Sequence, residues 1–125
     1  MMGSATLRDW FPDAVFAAGC PSRVVLDHVT SKWGTLVLLA LSEGEPLRWS
    51  ELRRRAEGVS EKMLAQTLRT LEADGLVHRD AKPVVPPHVE YSLTARGVEL
   101  AGLMVPLMLW IVAHAPDILA DADAR

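Results

Sequence analysis

Apolar and polar positions alternate with two different periods along this chain, and the changes of period mark its elements. From Pro21 to about Thr30, Val24, Val25, His28 and Val29 fall on one face at helical spacing, behind a proline suited to a first helical turn. A second helix follows Ser31. Its residues Trp33, Leu36, Val37, Leu38, Leu39, Ala40 and Leu41 wrap most of the circumference, which predicts burial nearly all round until Gly44 and Pro46 end it. A short helix from Trp49 to about Glu57 turns Trp49, Leu52 and Ala56 inward and Ser50, Arg54 and Glu57 outward. Gly58 breaks it, and Ser60 is a favourable N-cap for a helix that ends at Gly75, with Leu76 placed to touch Leu71 in a Schellman stop.

After Gly75 the period drops from 3.6 to 2. Leu76 to Ala81 reads as one strand, and Val89, Tyr91 and Leu93 alternate with Glu90 and Ser92 in a second. The connection from Lys82 to Pro87 holds Pro83, Pro86 and Pro87, too many imides for a ladder, so it is expected to project as a stiff loop. Two helices around a tight turn and then a hairpin make a winged helix-turn-helix, a mainly α fold with a small β-hairpin.

Thr94 caps a last helix, predicted to kink at Pro106 and to stop near Ala115 before Pro116, with a frayed tail after Leu119. Nearly every residue between Leu103 and Ala113 is apolar, more than one small domain can cover. A homodimer is therefore expected. Its seam is assigned to this helix through Leu103, Leu107, Trp110 and Ile111, and to an aromatic N-terminal piece carrying Trp10, Phe11 and Phe16.

The 125 residues suffice for one domain: an arm over 1–19, first core helices over 20–45, helix-turn-helix and wing over 46–94, a dimerisation helix over 95–116 and a tail over 117–125. Half the residues are hydrophobic and 23% are charged, which is the globular range. The uninterrupted apolar runs, Leu36 to Leu41 and Leu103 to Ala113, are shorter than the ~20 residues of a membrane span, and the N-terminus lacks a secretory pattern. No membrane is expected, and the cytoplasm is the expected location. A single cysteine, Cys20, excludes an internal disulfide. The four histidines lack the close spacing of metal motifs, so neither metal nor cofactor is expected.

Net charge is −3, which looks wrong for a partner of nucleic acid until it is mapped. Residues 46 to 82 carry eight Lys or Arg against six Asp or Glu, so the acidity lies elsewhere. On the helix after Ser60, Leu64, Leu68 and Leu71 cluster on one side. Lys62, Gln66, Arg69 and Ala73 lie opposite, at about 140° to 200° from Leu64 by a step of about 100° per residue. Such a stripe has the donors that a major-groove reader needs, Arg and Lys for guanine and Gln for adenine. Ser60, Met63 and Thr67 accompany it on the same helix as candidate DNA contacts. Ser50 and Arg54 are placed to hold a phosphate, and Arg79, Lys82 and His88 near the wing tip are aimed at phosphates or the minor groove. Glu61 either complements the helix dipole or accepts from a cytosine amino group. Ordinary solvation of the same stripe is the competing reading. No nucleophile with a base, phosphate loop or carboxylate pair appears, so catalysis is not expected.

Several quoted features occur together in one known family. They include Cys20 and Pro21, Lys32 and Trp33, Trp49 with Glu51, Leu52 and Arg53, and Gly58, Val59, Ser60, Lys62, Met63 and Leu64. Leu68, Arg69, Leu71, Glu72, Asp74, Gly75, Leu76 and Val77 follow, then Val85, Pro86, Val89, Glu90, Tyr91, Ser92, Leu93 and Thr94 in the wing. From about Cys20 to Trp110 the chain resembles the HxlR-type winged-helix transcriptional regulators, near relatives of the MarR group. It departs at Ser31 and Trp49, where Gly and Phe are usual, and at Ile111. The resemblance implies a homodimer that binds double-stranded DNA at a palindromic operator, acting as a repressor or activator, with the helix after Ser60 reading the groove and the wing touching flanking DNA. It also implies dimerisation through the first and last helices, and a redox- or electrophile-sensing role for Cys20. Beside this stand a small buried Cys20 with no such role, a small effector held in an apolar dimer cavity near Trp33, Met104, Met108 or Trp110, and a protein-interaction module without DNA binding.

Overall fold

The computed structural model describes residues 16–125. Its elements are α1 (Pro21–Thr30), α2 (Lys32–Leu41), β1 (Leu47–Arg48), α3 (Trp49–Arg55), α4 (Glu61–Ala73), β2 (Val77–Lys82), β3 (His88–Leu93) and α5 (Ala95–Asp123). This is the winged helix-turn-helix read from the sequence. The strands form one antiparallel sheet in the order β1-β3-β2, with Val77 opposite Leu93, Arg79 opposite Tyr91 and Lys82 opposite His88. β1 was not anticipated. Two residues after a proline give no readable period, and only its pairing of Leu47 with Tyr91 makes it a strand.

Burying the leucines of α2, α3 and α4 together builds the core. Leu38, Leu41, Leu52, Leu64, Leu71, Val37 and Val77 are fully buried. α4 is closed at both ends as its sequence requires. The Ser60 hydroxyl accepts from the Met63 backbone N–H at 3.1 Å. At the other end Gly75 has φ +74°, the Leu76 N–H donates to the Leu71 carbonyl and the Gly75 N–H to the Glu72 carbonyl, which is a Schellman closure. Asp74, the C-cap, also reaches α1: its Oδ2 accepts from His28 Nδ1–H at 2.7 Å.

α5 starts where predicted, Thr94 Oγ1 accepting from the Gly97 N–H at 3.1 Å. A Cβ at Gly97 would lie 2.1 Å from the Leu76 carbonyl oxygen, so only glycine lets α5 cross the start of the wing this closely. Its far end corrects the sequence reading. The helix continues through Pro106 and Pro116 to Asp123, and the tail expected to fray is helical. Each proline removes one donor, but Gly102 and Val112, four residues earlier, lie on the exposed surface, where water can take the unpaired carbonyls.

That continuity changes two further expectations. Among the described residues α5 is the one single helix long and apolar enough to cross a membrane by length and composition, although each apolar run within it is short. It also lies largely uncovered: only Gly97, Ala101 and Met104 are buried, while Leu103, Leu107, Leu109, Trp110, Val112 and Leu119 are more than half exposed. α1 differs from expectation in the same direction. Of its predicted inner face only Val29 is buried, and Val24, Val25 and Leu26 are exposed.

Candidate nucleic-acid interface

The helix-turn-helix presents its polar residues on one side because α4 buries its leucines on the other. Lys62, Gln66 and Arg69 are exposed, as are Ser60 and Met63. Thr67 corrects the sequence reading. It is 8% exposed, lying about 60° from Leu64 at about 100° per residue, on the core side rather than on the exposed stripe. Gln66 and Met63 border a small cleft against Asp27, His28 and Ser31, on the α1 side of the stripe. Arg69 points to the other side.

There the structure joins two residues that the sequence placed on separate devices. Arg69 of α4 and Arg79 of β2 line one cleft of about 360 Å³ with Trp49, Glu72 and Tyr91. Two arginines lining one cleft with two aromatic residues suit recognition of phosphate or a guanine edge. Glu72 is the residue that the sequence reading missed there. Its position three after Arg69 on the same helix was the available signal.

The turn is pinned by charge. Arg53 Nη1 donates to Glu61 Oε1 at 3.2 Å, tying the end of α3 to the start of α4. This gives the glutamate a partner within the chain. Arg55 is paired with Glu43, which lowers the glutamate pKa and raises that of the arginine through their shared hydrogen bond. Of three consecutive arginines, Arg54 alone has no carboxylate partner among the described residues, and with Ser50 it faces solvent.

On the wing the cations are engaged differently. Lys82 Nζ donates to Asp80 Oδ2 at 2.6 Å; that hydrogen bond holds the Asp80 carboxyl below its ordinary range and raises Lys82. His88 Nε2 and Glu90 Oε2 are 2.9 Å apart. The tip between them, Pro83 to Pro87, has no ionisable group, and Val85 is 99% exposed.

Cys20 is the N-cap residue of α1 and is partly exposed. Its side chain makes no cap hydrogen bond, yet the backbone N–H of Arg23 lies near enough to the sulfur to lower the thiol pKa, the largest of several causes. Leu103, Leu107, Trp110 and Ile111, expected at a dimer seam, are exposed on α5, and Phe16 is exposed before α1. Trp10 and Phe11 lie outside the described residues. Trp110 stacks on His114 one turn later, with ring centroids 4.2 Å apart. The residues proposed for an effector cavity are dispersed. Met104 is in the core, Trp110 is exposed, and Met108 borders a cleft of about 320 Å³ with Leu36 and Val112. Among the described residues no group of His, Cys, Asp and Glu has the arrangement of a metal site.

Residues 28–118 match the family described as HxlR-like helix-turn-helix. The uncharacterized HTH-type transcriptional regulator YtfH of Escherichia coli (strain K12) is 56% identical over 111 residues, spanning 89% of this chain and 87% of that protein. Among solved structures, a Salmonella typhimurium protein described as a transcriptional regulator, YtfH, superposes with a TM-score of 0.81 at 54% identity, covering 86% of this chain and 96% of that one. The redox regulator HypR, in its oxidized form, gives a TM-score of 0.69 at 37% identity over 75% of this chain and 96% of its own. With the helix-turn-helix, the wing and these kinships in agreement, the chain belongs to the HxlR-like helix-turn-helix family of transcriptional regulators.

Proposed function

We propose that this regulator binds a palindromic operator in the cytoplasm as a homodimer, seating two copies of α4 in major grooves one helical turn, ~34 Å, apart. The observation that carries the reading is the exposed polar side of α4, where Lys62, Gln66 and Arg69 reach solvent and Arg69, at the wing side, shares a cleft with Arg79. Ser50 and Arg54 on α3 are suited to phosphate contact from the preceding helix. The apolar surfaces of α5 and α1 are the proposed seam. Kinship with DNA-directed regulators favours a second copy, rather than a bilayer, as what covers α5.

The test is selection of bound fragments from a random DNA pool by the purified chain, followed by titration of the selected site. Arg69→Ala is expected to cost about 1–3 kcal/mol and to relax preference at one base pair per half-site. Binding unchanged in affinity and preference removes Arg69 from the reading face.

A second layer concerns Cys20. The N-cap position, the partial exposure and the lowered pKa favour a reactive thiolate, and HypR, a similar protein, is a redox regulator. We infer that oxidation or an electrophile at this sulfur alters operator binding. Mild oxidation is expected to change the affinity of the unaltered dimer and to leave Cys20→Ser unaffected. An equal change in both excludes the thiol.

A further inference from the structure

Wings that touch DNA commonly bring cations to it, and the sequence offers Lys82 and His88 for that purpose. Their surroundings argue otherwise. From Val77 to Leu93 the wing holds two basic residues, Arg79 and Lys82, and two acidic ones, Asp80 and Glu90, so with neutral histidines its net charge is zero. Arg79 lines the cleft at the base of the wing with Arg69, and Lys82 is paired with Asp80 two residues away on the same face of the strand. A phosphate that captured Lys82 would leave Asp80 unpaired close to DNA, which returns the attraction as repulsion.

What the wing presents outermost is apolar and stiff. Val84 is 53% and Val85 99% exposed, and Pro83, Pro86 and Pro87 frame them. Fixed proline φ angles leave this tip little conformational entropy to lose on contact. β2 enters the wing directly from the Schellman closure of α4 and carries Arg79, which lines the cleft with Arg69, on its way to the tip.

We propose that the wing meets the minor groove flanking each half-site through Val84 and Val85, as an apolar contact with sugars and base edges rather than a cationic contact with phosphate. Apolar side chains are an established way for proteins to engage that groove, where they read its width and deformability. The proposal rests on DNA binding through α4 and assigns the wing a different chemistry from the helix.

The experiment uses the full-length dimer on its selected operator. Val85→Asp, at a fully exposed position, is expected to leave the melting temperature unchanged and to weaken binding at least tenfold. The charge-neutral double variant Asp80→Asn/Lys82→Gln is expected to keep both the affinity and the slope of log affinity against log salt. Adding a minor-groove ligand such as netropsin to the flanks is expected to weaken the unaltered chain and to add little to Val85→Asp. Affinity of Val85→Asp equal to the unaltered chain overturns the proposal, including the case in which that variant loses only regulation in cells, which would assign the tip to a protein. A slope reduced by about 0.9 per protomer in the double variant also overturns it, because Lys82 is then a phosphate contact. Absence of selective binding by the unaltered chain, in contrast, overturns DNA recognition itself, and the wing's part with it.

Discussion

α4 and α5 are both built on leucines at helical spacing, yet one is complete within its own chain and the other is not. In α4 thirteen residues suffice: Leu64, Leu68 and Leu71 disappear into the core, both ends are capped, and Met63 is the one large apolar side chain left exposed. In α5 twenty-nine residues bury only Gly97, Ala101 and Met104, all in its first part, and an apolar flank continues into solvent. Composition alone does not separate them. Whether a leucine-rich helix is core or interface depends on how much of the chain is available to cover it.

Substitution at one equivalent position in each helix tests this contrast. Leu64→Ala removes a side chain with no exposed surface and is expected to cost about 2–5 kcal/mol, read from urea unfolding. It is best measured in a Leu107→Glu background, so that association does not enter the result. Leu107→Glu itself touches a residue 59% exposed in the protomer. It is expected to leave the protomer folded while weakening dimerisation about a hundredfold, equivalent to about 2.8 kcal/mol, by sedimentation at graded concentrations. Dimerisation as tight as in the unaltered chain would show that α5 completes its surface in some other way.

The smallest expected effect lies at α1, which shares both characters: Val29 is buried and Val24 to Leu26 are exposed. Because folding lowers the Cys20 pKa, chiefly through the Arg23 backbone N–H, the folded chain retains thiolate at pH values where the unfolded chain has lost it. The pH midpoint for alkylation by iodoacetamide is thus expected below that of the same chain in urea. The two rates should approach one another once pH exceeds the ordinary thiol range. Coincident midpoints would remove the backbone as a tuner of this sulfur.

Much of this was legible before any coordinates. α4 was readable because Ser60, Gly75 and the leucine spacing each carry an independent signal, and all three agree. The wing was readable from its change of period and its prolines. β1 was not, since a two-residue strand is defined by its partner rather than by itself. The reach of α5 was misjudged because Pro116 was read as a stop, whereas the helix runs through it, with the lost hydrogen bond falling on an exposed face. Thr67 was misplaced because its polar side chain was given more weight than its position, about 60° from Leu64 on the buried side. The pairing of Lys82 with Asp80, and of His88 with Glu90, was written in the sequence as residues two apart in strands. Counting charges without asking which share a face concealed it.

The hydrogen bond between His28 and Asp74 gives α1 a mechanical consequence. One end of this ten-residue rod, about 15 Å long, begins beside the thiol, and the other is tethered to the residue that closes α4. A rigid shift of the rod therefore strains this tether or carries the C-terminal end of α4 with it.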